Sequence, residues 1–444
     1  MKLIYKLSFA LFLMPLMTIQ GQKIASKSVG DSLSLSDIMN SVMNNYPALK
    51  KAEKEIESAN AKIDLTKTAY LPDVNFSSSY SRIGPTSSIS MPIGGTVYNL
   101  QLYPENVYNA TFSVNENIYD FGKTKNNVAM DEQSREMTKL SVAQIKQKLS
   151  MALMANFFNI NLLQEAIKIK DEQLKSLSEH LSFVEKRNTS GSATKFDILT
   201  TKVRISSLEN QKTDILTSLQ IQYGQLNSFL GRPQGTTVMI KKELLRSEII
   251  SSLDSLCSIA FTNRNEMKMA KQKDAILQSR LNVIKVQNNP SLNAFASGGY
   301  KNGYYNSSFG DTGKLNFAVG VGLKVPIFDA NRSKYIKVQA NADIEGNQQE
   351  TELTKRNITN EVIEGKANTE AALKKVSQSE LQLQQANEAY KLAETSFAAG
   401  TITNLDLIDS FTSLAEAKFG LLKTKIDYSM NLYKLKISLG QQIW

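Results

Sequence analysis

The 444-residue chain carries 52 lysines and arginines against 42 acidic residues, a formal charge of +10, with 41% apolar residues and a single cysteine. That length and apolar content allow a sizeable core and exclude wholesale disorder, while one cysteine, Cys257 in "SLDSLCSIAF", excludes an internal disulfide and reads as a small hydrophobe on a helix. The basic surplus is spread along the chain and forms no block, so it reads as solvated surface and only weakly as attraction to polyanions, and nucleic acid is not an expected partner of an exported chain.

At the N-terminus, Lys2 and Lys6 precede an apolar run from Leu7 to Met17, the layout of a secretory signal peptide over 1–21. The remaining chain is therefore expected to leave the cytoplasm. Beyond the signal no apolar run approaches the ~18 residues of a membrane-spanning helix, so entry into a bilayer would have to use strands.

The rest of the chain is written twice. "NNYPALKKA" (from Asn44) matches "TNRNEMKMA" (from Thr262), and "IYDFGKTK" (from Ile118) matches "IFDANRSK" (from Ile327). Gly191, Asp197 and Gly231 likewise correspond to Gly400, Asp406 and Gly440. The first repeat, 22–252, is expected to hold a helix from about Leu35 to Pro72 and a β-hairpin at about 73–118. There "DVNFSSSYS" and "NATFSVNENI" flank a loop rich in Pro, Gly, Ser and Tyr. A long helix over 123–188 follows, free of Gly and Pro up to Arg187, then a turn at 191, a helix to 230 and an equatorial segment, 231–252, with a strand-like "TTVMI" patch.

The second repeat, 253–444, repeats the plan: a helix, a hairpin at about 291–327, a long helix over 331–398, a turn at 400 and a helix to 440. In its long helix Ala372, Val376, Ser379, Leu383, Ala386, Tyr390, Ala393 and Phe397 alternate four and three apart, the seam of coiled-coil packing. A long helix flanked by two shorter ones stacked end to end would make a cylinder wall. The fold expected is mainly α with a small membrane β part. It is a duplicated long-helix coiled-coil α-barrel plus four β-strands per chain, contributing to a shared barrel.

In the second hairpin Leu315, Phe317, Val319, Val321 and Leu323 are apolar at every second position, with Asn316, Gly320 and Lys324 between or beside them. These strands are about as long as tilted strands that cross a bilayer. A half-packed soluble sandwich is the alternative, but four strands leave two bare edges and nothing else in the chain offers a sheet to pack on. Four are also too few to close a barrel, whose minimum is about eight, so several copies would have to close one together, with those five residues facing lipid.

The chain offers no enzymatic constellation. A G-x-x-x-x-G-K-[ST] phosphate loop is absent, and His180, the one histidine, lies in the polar run "SLSEH" and reads as solvated surface. Neither a cofactor nor a metal site is expected.

With its duplicated plan, "AYLPDVNFSSSYS" closing the first helix and "AAGTITNLDLIDSFTSLAEAKFGLL" in the second half, the sequence resembles the TolC-like outer membrane factor family over essentially its whole mature length. The resemblance implies a homotrimer whose twelve strands form one barrel in the outer membrane of a Gram-negative bacterium, continued by a periplasmic helical tunnel. It implies a passive export duct, served by a periplasmic adaptor and by an inner-membrane pump or ATP-driven exporter. Both cargo classes, small toxic compounds and polypeptides, stay open. A periplasmic coiled-coil structural or adaptor protein that never enters lipid is the alternative.

The same resemblance directs attention to the two turns. Gly191, Ser192, Ala193, Gly400, Thr401 and Ile402 match the residues that meet the adaptor, although each Gly could be no more than a helix C-cap. Asp406 and Asp409 match aspartate rings at the tunnel constriction, and Asp197 a polar latch. Three apart at a helix start, Asp406 and Asp409 could equally serve the helix dipole alone. Where some family members complete the latch with Tyr and Arg, this chain has Phe397 and Ile402, so closure has to rest on other contacts.

Overall fold

The computed structural model describes residues 32–101, 104–243, 251–306 and 310–443. The expected signal peptide and part of the equatorial segment lie outside the described residues.

Two helices dominate: α3 (Lys123–Thr189) and α7 (Arg332–Ala398), each 67 residues and about 100 Å long at 1.5 Å per residue. The lower half of α3 forms an antiparallel hairpin with α4 (Lys195–Leu230), and α7 does so with α8 (Asn404–Ser438). Polar rungs hold α3 to α4: Asn156 Nδ2 donates to the Gln222 carbonyl (3.1 Å) and Gln164 Nε2 to the Tyr223 hydroxyl (2.8 Å).

Beside the upper halves lie short helices, and here the structure corrects the expected single helix from Leu35 to Pro72. The chain forms α1 (Leu35–Asn45) and α2 (Pro47–Lys67), with Thr68–Tyr70 as one 3₁₀ turn. Tyr46 is extended (φ −67°, ψ 127°) because the ring of Pro47 crowds a helical residue before it, while Pro47 itself fits the first helical position. The second half breaks at the matching place without proline, between α5 (Leu253–Asn263) and α6 (Asn265–Val286). At that break the buried Arg264 is held by Glu266 (3.0 Å) and by Glu361 of α7.

The core is concentrated at mid-height. Ile38, Met39 and Val42 of α1 meet Leu153, Phe157 and Phe158 of α3, and Leu226 of α4, all almost fully buried. The "TTVMI" patch supplies only one parallel bridge there, Leu33 to Ile240. Toward the turns the core thins to a small cluster of Leu177, Leu208 and Ile408.

At the opposite end the four expected strands form one antiparallel sheet in the order β1 (Asp73–Arg82), β4 (Asn106–Tyr119), β5 (Ser291–Asn306), β6 (Gly310–Lys324). The register aligns whole rows on one face. Val74, Val114, Ala296 and Val319 form one row, and Phe76, Phe112, Gly298 and Phe317 the next. The other face carries Asn75, Ser113, Ser297 and Ala318, then Ser77, Thr111, Gly299 and Asn316. Leu315 and Phe317 are each 86% exposed, so in the single chain nothing covers the apolar face. Both outer strands, β1 and β6, keep one unpaired edge.

Sequence reading left the segment between β1 and β4 as a loop. It instead folds back as a separate ribbon, β2 (Ser88–Ile93) with β3 (Thr96–Gln101), through a two-residue Gly94–Gly95 turn. The Gly-Gly pair is the available signal for such a hairpin, and Pro92 obscured it.

Each strand-to-helix junction is built alike. Asp120 accepts from the Gly122 and Thr124 amides (3.0 and 2.6 Å), and Asp329 from the Ser333 amide (3.0 Å), the Ser333 hydroxyl and Asn288 Nδ2. Hydrogen bonds from Ser333 and Asn288 to the charged form lower Asp329 from 3.8 to about 2. A depressed carboxylate stabilises the junction above its unfolded pKa, so this contribution persists at neutral pH and fades only as pH falls from about 4 toward 2.

Candidate functional site

The turns at Gly191 and Gly400 lie side by side at the end of the molecule farthest from the sheet. Each is a C-terminal cap of the same type. Gly191 donates to the Asn188 carbonyl (3.0 Å) and Ser192 to Arg187 (2.7 Å), while Gly400 donates to Phe397 (3.0 Å) and Thr401 to Ser396 (3.0 Å). This pattern puts the residue after the helix in the left-handed region, and the two glycines have φ of +78° and +76°.

Three residues later each chain segment enters a helix through a capping box. Thr194 and Asp197 exchange hydrogen bonds at the start of α4, as do Thr403 and Asp406 at the start of α8. Asp197 Oδ2 accepts from the Thr194 amide (2.8 Å) and hydroxyl (2.7 Å), and Asp406 Oδ2 from the Thr403 amide (2.9 Å) and hydroxyl (2.7 Å). The Thr403 hydroxyl and amide bonds lower the Asp406 pKa. The signals T-K-F-D and T-N-L-D were readable in the sequence as capping boxes, and that role was missed. Removing the Thr403 hydroxyl (Thr403→Ala) is expected to cost about 1 kcal/mol locally, seen as roughly fivefold faster hydrogen exchange in the first turn of α8.

Asp409 lies one turn further along α8, exposed, with its Oδ1 3.6 Å from Arg204 of α4. The tip therefore joins two of the expected constriction residues to their own helix ends and leaves the third in a surface ion pair. Ser192, Ala193, Asp197, Gly400 and Ile402 line one shared cavity of about 280 Å³ between the two turns. Gly191 and Thr401 are exposed beside it, and Asp406 and Asp409 face elsewhere.

Sequence reasoning missed the residues that tie the two hairpins together. Arg187, in the last turn of α3, sits over the rings of Phe183 and Phe397 (5.7 and 5.4 Å to the centroids), and its Nη1 reaches the Phe397 carbonyl at 3.5 Å. Asn404 is buried between three helices. Its Nδ2 donates to the Asp197 carbonyl and Thr201 Oγ1 (both 3.3 Å), and its Oδ1 accepts from His180 Nε2 (2.6 Å). The expectation of a solvated His180 is thereby corrected: its ring also lies 5.4 Å from that of Phe397. Phe397 and Ile402 make no polar latch with their side chains, and the contacts between hairpins include those of Arg187 and Asn404 beside the Arg204–Asp409 pair.

Among the described residues no group of His, Cys, Asp and Glu is arranged to hold a metal ion, and no helix is long and apolar enough to cross a membrane.

Two stretches, 38–232 and 256–441, match the family model described as outer membrane efflux protein. The chain is 20% identical over 416 residues to the outer membrane protein TolC of Vibrio cholerae serotype O1, covering 92% of this chain and 90% of that protein. It is 21% identical to the alkaline protease secretion protein AprF of Pseudomonas aeruginosa, covering 92% and 85%. Its fold matches the crystal structure of the outer membrane protein VceC from Vibrio cholerae with a TM-score of 0.72 at 17% identity, covering 92% and 97% of the two chains.

Proposed function

Since the chain belongs to the outer membrane efflux protein family, we propose that three copies close their sheets into one twelve-stranded barrel and join their helices into a periplasmic tunnel. The assembly is a passive export duct and has no catalytic activity. The observation that carries this reading is the sheet itself. It has adjacent apolar rows on one face, adjacent polar rows on the other and two unpaired edges, an arrangement satisfied in lipid only when copies pair edge to edge. Leu315, Phe317, Val319, Val321 and Leu323 then face lipid and the polar rows a wet lumen. The halves 22–252 and 253–444 are two versions of one unit, a reading supported by their shared order of two short helices, two sheet strands and two long helices, to which the first adds the β2–β3 ribbon, and by their matched junctions and tip turns.

At the far end, Gly191, Ser192, Ala193, Gly400, Thr401 and Ile402 form the surface that meets a periplasmic adaptor, through which an inner-membrane pump or ATP-driven exporter delivers cargo. The shared cavity between the turns supports this assignment. Asp406 and Asp409, repeated around the threefold axis, form a cation-attracting constriction, with Asp197 on the neighbouring hairpin. Capping does not remove the charge: Asp406 keeps its carboxylate ionised.

Reconstitution into planar bilayers tests both levels. Wild-type protein is expected to give single channels selective for cations. Asp406→Asn with Asp409→Asn, which keeps a capping oxygen at 406, is expected to shift the reversal potential toward zero. Absence of channels from assembled protein would overturn the duct, and unchanged selectivity would overturn the constriction.

A further inference from the structure

Above the tip turns, a second cavity of about 410 Å³ opens between α3, α7 and α8 of one chain. Four aromatic rings form its walls: Phe183 from α3, Tyr390 and Phe397 from α7, and Phe411 from α8. Tyr390 and Phe411 lie 5.6 Å apart and Phe183 and Phe397 6.2 Å apart. Two carboxylates, Glu179 and Glu394, also line it, and no lysine or arginine does. Both acids are exposed, and among the described residues neither forms an ion pair.

We propose that this cavity binds a small organic cation, an ammonium bearing an aromatic or bulky alkyl group. Ring faces attract a cation within about 6 Å of their centroids, and facing carboxylates supply the remaining charge. The volume falls in the usual range of about 300–1,000 Å³ for small-molecule sites. The chain already shows that these rings accept a cation: the guanidinium of Arg187 rests on Phe183 and Phe397 from the tip side, outside the cavity lining. Burial, helped by the charge of Glu394, raises the Tyr390 pKa, so its ring stays neutral and its face available. The one histidine at the site, His180, is held by the hydrogen bond of its Nε2 to Asn404 Oδ1.

The test uses the full-length assembled protein in detergent, titrated with benzyltrimethylammonium by isothermal titration calorimetry, with benzenesulfonate as the anionic counterpart. Saturable binding of the cation and none of the anion is expected. The isosteric pair Glu179→Gln with Glu394→Gln should weaken binding by roughly fivefold, and Phe397→Leu by several-fold. Oligomer size and helical content of each variant establish that it is folded, and conductance of the same preparation reports separately on the duct. No saturable binding to folded protein, equal binding of the anion, or an affinity indifferent to both Glu→Gln changes would overturn the proposal. So would binding that survives those changes but is lost in Asp406→Asn with Asp409→Asn, which would move the site to the aspartates.

Discussion

Gly400→Trp abolishes export while the assembly still reaches the outer membrane. A Cβ at Gly400 meets nothing within 4 Å, so the fold has room for the side chain, and the cost inside the chain is the left-handed backbone alone (φ +76°). That strain amounts to about 1–2 kcal/mol, small beside the packing of two 67-residue helices. The indole would instead project over the cavity shared by the two turns, where the adaptor is proposed to dock. Gly400→Ala carries the strain without the bulk and is expected to keep most of the export, and Gly400→Asn, which tolerates that backbone, essentially all of it. Cargo efflux from cells and heat-sensitive oligomers in outer-membrane fractions are the two readouts. Export by the Trp variant would remove the tip from adaptor docking, and loss in the Ala variant would make the position structural.

Phe317→Arg eliminates the assembled form altogether, whereas Asn316→Arg, one residue away, is tolerated. Phe317 belongs to the apolar row with Phe76 and Phe112, and Asn316 to the polar row with Thr111 and Ser77. A charge on the lipid face near the midplane costs about 2–4 kcal/mol per copy, and every copy in the ring bears it. The same charge toward the lumen stays hydrated. Equal loss in both variants would argue against a bilayer on the apolar side, and outer-membrane fractionation followed by crosslinking distinguishes the outcomes.

The helical frame was legible because its signals are local. A stretch without Gly or Pro from Lys123 to Arg187 has one reading, and it runs to Thr189 in the structure. The alternation through Leu315 and Phe317 likewise marks a strand whatever surrounds it. The break at Arg264 was hidden, because no proline marks it and one of the partners that hold Arg264 there, Glu361, lies 97 residues on. At the tip the turn glycines and the aspartates stood out in sequence, but their partners did not. His180 meets Asn404 across 224 residues and Arg187 meets Phe397 across 210, and nothing near either residue announces the contact. Asp197 and Asp406 differ in kind: their capping boxes are local and could be read from T-K-F-D and T-N-L-D, and capping leaves room for the long-range role proposed for them.

The bare edges of β1 and β6 also bear on inheritance. A subunit that keeps a sound β1 but has a damaged β6 can still join a neighbour on one side, and it then leaves the ring without a closing partner. Such a subunit withdraws healthy copies from use, so its defect should be dominant when both forms are made in one cell. A subunit damaged at both edges joins nothing and should be recessive. The order of strands in one sheet thus sets which mutations a second, intact gene copy can mask.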